Sequence, residues 1–196
     1  MSEVKKQAEK LLFSVPILIQ AAAPEANGTK KPATFSIRAY NGGKITVCNW
    51  PVPVVFDLNG LIIVSQQIPI LDNHEPENHA VIGQTDKVMI ANGGIDESGV
   101  LYSNVDEAAA LIVAKAASGH QWQASVGVLP FSIEQVNAGE KVTVNGQLID
   151  GPVDIIRTGA LRETSIVVVG GDTTSTVQIA ASQLNKHPQQ SIIILI

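Results

Sequence analysis

Short apolar runs with strand-like alternation, each closed by Asn, Gly or Asp, dominate the chain from Thr34 onward. Thr34 to Tyr40 alternates polar and apolar side chains with a period of two, the signature of a half-buried strand. Asn41-Gly42-Gly43 follows, and because positive φ is cheap for Asn and Gly, the pattern predicts a hairpin with Lys44 to Trp50 as its second strand. Pro53 to Val64 continues in the same style. Further strands are expected over His79 to Ala91 and Gly99 to Val105, separated by a turn at Asn92-Gly93-Gly94, then over His120 to Val136. Glu140 to Ile149 reads as another hairpin about Asn145-Gly146, and Thr164 to Gly171 as a last strand.

One stretch changes period. Between Ser103 and Gly119 the positions Ala109, Ile112, Val113 and Ala116 fall on one helical face. Ser103 and Asp106 form an S-x-x-D capping box, and Gly119 supplies the stop. The whole is therefore expected to be mainly β with a few helices, an α+β fold built as a small barrel or sandwich.

The flanks differ from this body. Residues 21–33 collect Pro, Gly, Asn and Lys without apolar periodicity, which is linker chemistry. Ahead of them, Val4, Ala8, Leu11 and Leu12 share one face of an expected amphipathic helix; a secretory leader is the rival, diluted by Glu3 and Glu9 and interrupted by Pro16. The apolar run ends at Gln20, short of the roughly 18 residues that span a bilayer, so no membrane segment is expected. The division is residues 1–33 as N-terminal helix and linker, 34–172 as the folded body, and 173–196 as a tail ending in an apolar hexamer. That hexamer reads as an added edge strand or a partner-binding end.

Composition narrows the functions. A net charge of −5 with no long Lys/Arg run argues against nucleic acid as a ligand. The single cysteine, Cys48, excludes an intrachain disulfide and a cysteine-based zinc cluster, and reads as a small strand residue. Phosphate-binding glycine loops, His-Glu-x-x-His and Gly-x-Ser-x-Gly do not occur, so neither cofactor nor metal is expected.

Dispersed candidates remain. His74 follows an apolar stretch and sits among Asp72, Glu75 and Glu77; it reads as a general base, as a surface histidine, or with His79 as half of a metal site. On a strand where Ala124, Val126 and Val128 face one way, Ser125 and Gly127 face the other and leave room for a carbonyl. Gly170-Gly171 offers backbone N–H groups free to meet an oxyanion.

In order, these pieces resemble the prohead maturation proteases of tailed bacteriophages, whose fold is shared with the herpesvirus assemblins. A strand ends in a histidine followed by an Ile-Gly pair, here His74 and then Val81-Ile82-Gly83. A Ser-hydrophobic-Gly segment comes 51 positions after the histidine, at Ser125-Val126-Gly127, and a Leu-x-Glu-x-Ser-hydrophobic-Val segment later, at Leu161 to Val167. The resemblance covers about Thr34 to Asp172. It implies a small closed or partly open β-barrel and a serine endopeptidase with His74 as base, Ser125 as nucleophile, Glu163 as the group that orients His74, and Gly170 and Gly171 as oxyanion hole. Asp150 and Asp154 are rivals for the place of Glu163, His79 is a loop residue near the cleft, and His120 and His187 are structural or exposed. The implied substrate is the scaffolding segment of a major capsid protein, together with the protease's own termini, inside the assembling procapsid in the host cytoplasm. A homodimer is a further expectation. Against this stand a non-catalytic capsid-assembly protein that keeps the barrel, and an exported ligand-binding β-domain.

Overall fold

The computed structural model describes residues 11–12, 15–20, 31–47, 50–75 and 77–168. In chain order these form β1 (Leu11–Leu12), β2 (Val15–Gln20), β3 (Ala33–Tyr40), β4 (Val54–Phe56), β5 (Leu61–Ile63), β6 (Pro69–Asp72), β7 (Val81–Ala91), β8 (Gly94–Leu101), α1 (Glu107–Ala117), β9 (Gln123–Val136), β10 (Lys141–Val144), β11 (Gln147–Asp150) and β12 (Val153–Val167). The fold is mainly β with one α-helix among the described residues, and its main sheet is mixed. No described helix is long and apolar enough to cross a membrane.

β12 organises the sheet. On one side it pairs antiparallel with β9 along almost its whole length, and on the other it receives β4, β5 and β6 in succession, all parallel to it. The chain from Val54 to Asp72 is thus one interrupted strand laid along β12 rather than the hairpin-style strands that its turns suggest. From β6 the antiparallel pairings continue through β7, β8, β3 and β2, and β2 pairs with β9. Following neighbours from β9 through β2, β3, β8, β7, β6 and β12 leads back to β9.

Inward positions alternate along these strands. Ile70, Ile82, Ile95, Leu101, Val126 and Ile166 belong to one buried cluster, which also takes Ala109, Ile112 and Ala116 from α1. Each fully buried aliphatic side chain contributes on the order of 1.5–3 kcal/mol through loss of water contact. Trp122 joins the same cluster and donates its indole N–H to the Ile112 carbonyl at 3.0 Å, which fixes α1 against the start of β9.

Four expectations need correction. Leu11–Leu12 and Val15–Gln20 are strands, not helix: the β-branched run suits a pleated surface, Pro16 is excluded from a helix interior, and β3 and β9 offer hydrogen-bonding edges. The folded body therefore starts before Thr34. The Asn41-Gly42-Gly43 turn does not fold Lys44 to Trp50 back onto β3, because β8 occupies that edge over most of its length; only an isolated bridge between Ile45 and Val54 forms. Asp106, not Ser103, caps α1, accepting from Ala109 N at 2.7 Å, while Ser103 Oγ accepts from Ala33 N. The last strand begins at Val153, eleven residues before the apolar run starting at Thr164 suggests. Cys48, the tail from 173 and most of the linker lie outside the described residues.

Candidate active site

β6 ends at Asp72, and the next two residues, Asn73 and His74, both take left-handed backbone conformations, with φ of 50° and 65°. Such a pair of non-glycine residues costs roughly 1–2 kcal/mol per residue and needs an external clamp. β12 provides it. Asn73 N–H donates to the Ile166 carbonyl at 3.0 Å and His74 N–H to Ser165 Oγ at 3.2 Å. Thus the strand that pairs with β6 also sets where the imidazole goes.

The imidazole points to Glu163: Nδ1 lies 3.1 Å from Oε1, with the histidine side chain 16 % exposed and the carboxylate 3 %. A carboxylate only accepts, so this contact places the proton on Nδ1 and leaves Nε2 its lone pair. The other Glu163 oxygen accepts the Ser165 hydroxyl at 2.6 Å. Glu163 and Ser165 meet because residues two apart on a strand share a face.

Ser125 stands opposite Ser165 across the β9–β12 pair, and Gly127 opposite Glu163. Directly opposed residues share a face with their Cβ atoms roughly 4.5–5.5 Å apart, so Ser125 belongs to the same surface as the His74–Glu163 pair. It is buried. Its hydroxyl has no hydrogen-bond partner among the described residues, and none joins it to His74. The structure thus unites His74 with Glu163 and sets Ser125 beside them, one strand away.

The other candidates separate. Asp154 accepts from Trp50 Nε1 at 2.8 Å, nine residues down β12 from Glu163, which is about 30 Å at a strand's rise. Asp150 is exposed on the β10–β11 hairpin, 2.9 Å from Lys141, which holds its carboxyl below the usual range. Neither can orient His74. His79 is exposed, within 3.7 Å of Glu75 and 3.5 Å of Glu77, and among the described residues no group of three His, Cys, Asp or Glu is gathered as a metal site would need. His120 packs edge-on against Trp122 at 4.4 Å. Gly170, Gly171 and His187 lie outside the described residues.

Two participants were not singled out from sequence. Ser165 could have been found from the period of two, since it follows Glu163 on the same face. Glu97 is the other: it is fully enclosed, accepts Thr164 Oγ1 at 3.0 Å through one oxygen, and leaves the other without a partner. Burial pushes its carboxyl up to about 7, the Thr164 hydrogen bond opposes that, and the nearby Glu163 charge adds to it. Its polar position in Ile95-Asp96-Glu97-Ser98 looks like an exposed one, and only the inward phase of β8 reveals it.

Compared with family models, curated proteins and solved structures, the chain matches none.

Proposed function

We propose that the protein is a serine endopeptidase in which Ser125 is the nucleophile, His74 the general base and Glu163 the group that holds the imidazole. The observation that carries this reading is the 3.1 Å His74–Glu163 contact on the sheet face shared with Ser125. As Ser125 Oγ attacks a peptide carbonyl, its proton passes to His74 Nε2; the C–N bond then breaks and the same proton goes to the leaving amine. Water repeats the sequence to release the acid and restore the serine. The Ser125–His74 hydrogen bond forms when substrate is bound, as catalytic hydrogen bonds that are long in the free enzyme commonly do. Backbone N–H groups of Gly170 and Gly171 are assigned to the oxyanion, each donor worth about 3 kcal/mol.

The ring of strand pairings supports a small β-barrel, and the Ser125, His74 and Glu163 segments support a maturation protease of the prohead type acting on the scaffolding segment of a capsid protein inside the procapsid. Co-expression with a tailed-phage capsid protein that retains this segment tests the reading, with wild type compared to Ser125→Ala by intact mass spectrometry. Discrete cleavage in the first and none in the second is expected; cleavage that survives Ser125→Ala removes the serine from the chemistry.

The non-catalytic reading is favoured by one observation, the buried Ser125 hydroxyl without a bond to His74. Incorporation into shells with no cleavage in either sample would establish it.

A further inference from the structure

Beside His74 lies a cleft of about 450 Å³ between the turn after β6 and α1. Its lining includes Asn73 and Glu75, the two residues that flank His74 in sequence, so the cleft borders the turn that carries the imidazole, while His74, Glu163 and Ser125 themselves do not line it. The floor is apolar, formed by the buried Ile112 and Trp122, and two apolar side chains on its walls face water: Leu111 is 54 % exposed and Val168 63 %. A cleft of this size falls in the range that holds a ligand largely out of water.

The rim has its own polarity. Asp72 and Glu75 lie on the turn side; across from them Lys115 rests 5.7 Å over the Trp122 ring. The Asp72 carboxyl is raised by burial and by the Glu75 and Asp106 charges, with Lys115 only partly offsetting them. A cation entering from the turn side relieves that repulsion, whereas a carboxylate adds to it.

We infer that this cleft is the side-chain subsite of the proposed endopeptidase, taking an aliphatic or aromatic residue of a peptide that carries a lysine or arginine next to it. The inference rests on the endopeptidase reading for its catalytic meaning, but the subsite is testable by binding alone. The rim acids select the cation and the apolar floor selects its neighbour, so neither feature alone gives the preference.

The test uses the full-length Ser125→Ala chain, which leaves bound peptides intact, and three labelled Gly/Ser peptides differing only at a central Leu-Lys, Leu-Glu or Ser-Lys pair. Fluorescence anisotropy is expected to show Leu-Lys bound at least tenfold more tightly than either of the others. Adding Leu111→Arg, at an exposed helix position, is expected to weaken Leu-Lys about tenfold with circular dichroism unchanged. Glu75→Lys, on the exposed turn, is expected to reverse the order of Leu-Lys and Leu-Glu. Equal affinities, no binding of any peptide, or indifference to both substitutions overturns the inference. Self-association that Leu111→Arg abolishes, seen by sedimentation, assigns the cleft to a second copy and overturns it too. The wild-type chain separates the two readings: preferential binding without cleavage removes the endopeptidase and keeps the subsite, while Ser125-dependent cleavage without preference does the reverse.

Discussion

Ser165 does two jobs with one hydroxyl, donating to Glu163 and accepting from the strained His74 backbone. Its removal takes one hydrogen bond from the Glu163 carboxylate and one from the His74 backbone N–H, at roughly 0.5–1.5 kcal/mol for a neutral bond and about 1.5–3 kcal/mol for one to a charged group. On the proposed endopeptidase reading, Ser165→Ala is therefore expected to lower kcat by about tenfold or more with KM little changed, because it would misplace the proposed base without touching the cleft. The NMR chemical shifts of the His74 ring and amide should change in parallel, and Ser165→Thr, which keeps the hydroxyl, should restore both; unchanged His74 shifts in Ser165→Ala would show that the clamp is idle. Glu97 acts on stability instead. Its carboxyl stands near 7 in the folded chain against an ordinary 4.5, so the folded state holds the proton more tightly than the unfolded state. The contribution of Glu97 to stability is then greatest below about pH 4.5, falls between 4.5 and 7, and levels off above, by roughly 3 kcal/mol in all. Urea unfolding from pH 5 to 8 should show that decline in the wild type and lose most of it in Glu97→Gln, which retains an acceptor for Thr164. A slope equally steep in the variant would place its source elsewhere.

At the scale of elements, turns carry more than reversal. Asn145 opens the β10–β11 turn with φ of 53°, and its amide also donates to the Gly42 and Phe56 carbonyls and accepts from Leu58 N. Asn145→Gly keeps the conformation and loses three hydrogen bonds, for an expected cost of about 2–4 kcal/mol; Asn145→Ala adds about 1 kcal/mol of left-handed strain. Thermal unfolding should rank wild type above Gly above Ala, and equal melting of the two variants would mean that the turn relaxes. This stitching also explains which elements were legible. β3, β7 and the β10–β11 hairpin are local, with alternation and turn residues adjacent in sequence, and α1 has its period and stop. The length of β12 was hidden because Arg157-Thr158-Gly159 breaks its apolar run; only the parallel strands β4 to β6 and the long β9 pairing, all distant in sequence, keep it extended. The site divides likewise. His74 and Glu163 stand 89 positions apart and come together only because β6 pairs with β12. No local chemistry marks Glu163 over Asp154, and it was the resemblance that pointed to it.

For the whole molecule, the consequential feature is that β2 closes the ring of pairings between β3 and β9 while being joined to β3 through residues 21–32. A chain that begins at Thr34 lacks this strand and β1, which leaves hydrogen-bonding edges of β3 and β9 exposed to pairing with other copies. Such a chain is expected to aggregate or to melt well below one that begins at Leu11, and equal melting would show that the ring is dispensable. The same topology shapes what self-cleavage would do. A cut within residues 21–30 breaks one peptide bond but none of the described strand pairings, since the described contacts of β2 lie at Val15–Gln20. The released segment should then stay bound in the cleaved protein, co-migrating under native conditions and separating only in denaturant. Native and denaturing mass spectrometry of wild type and Ser125→Ala would distinguish this from shedding: a segment lost at once on cleavage would mean that β2 holds its place only while tethered, and that processing opens the sheet rather than leaving it intact.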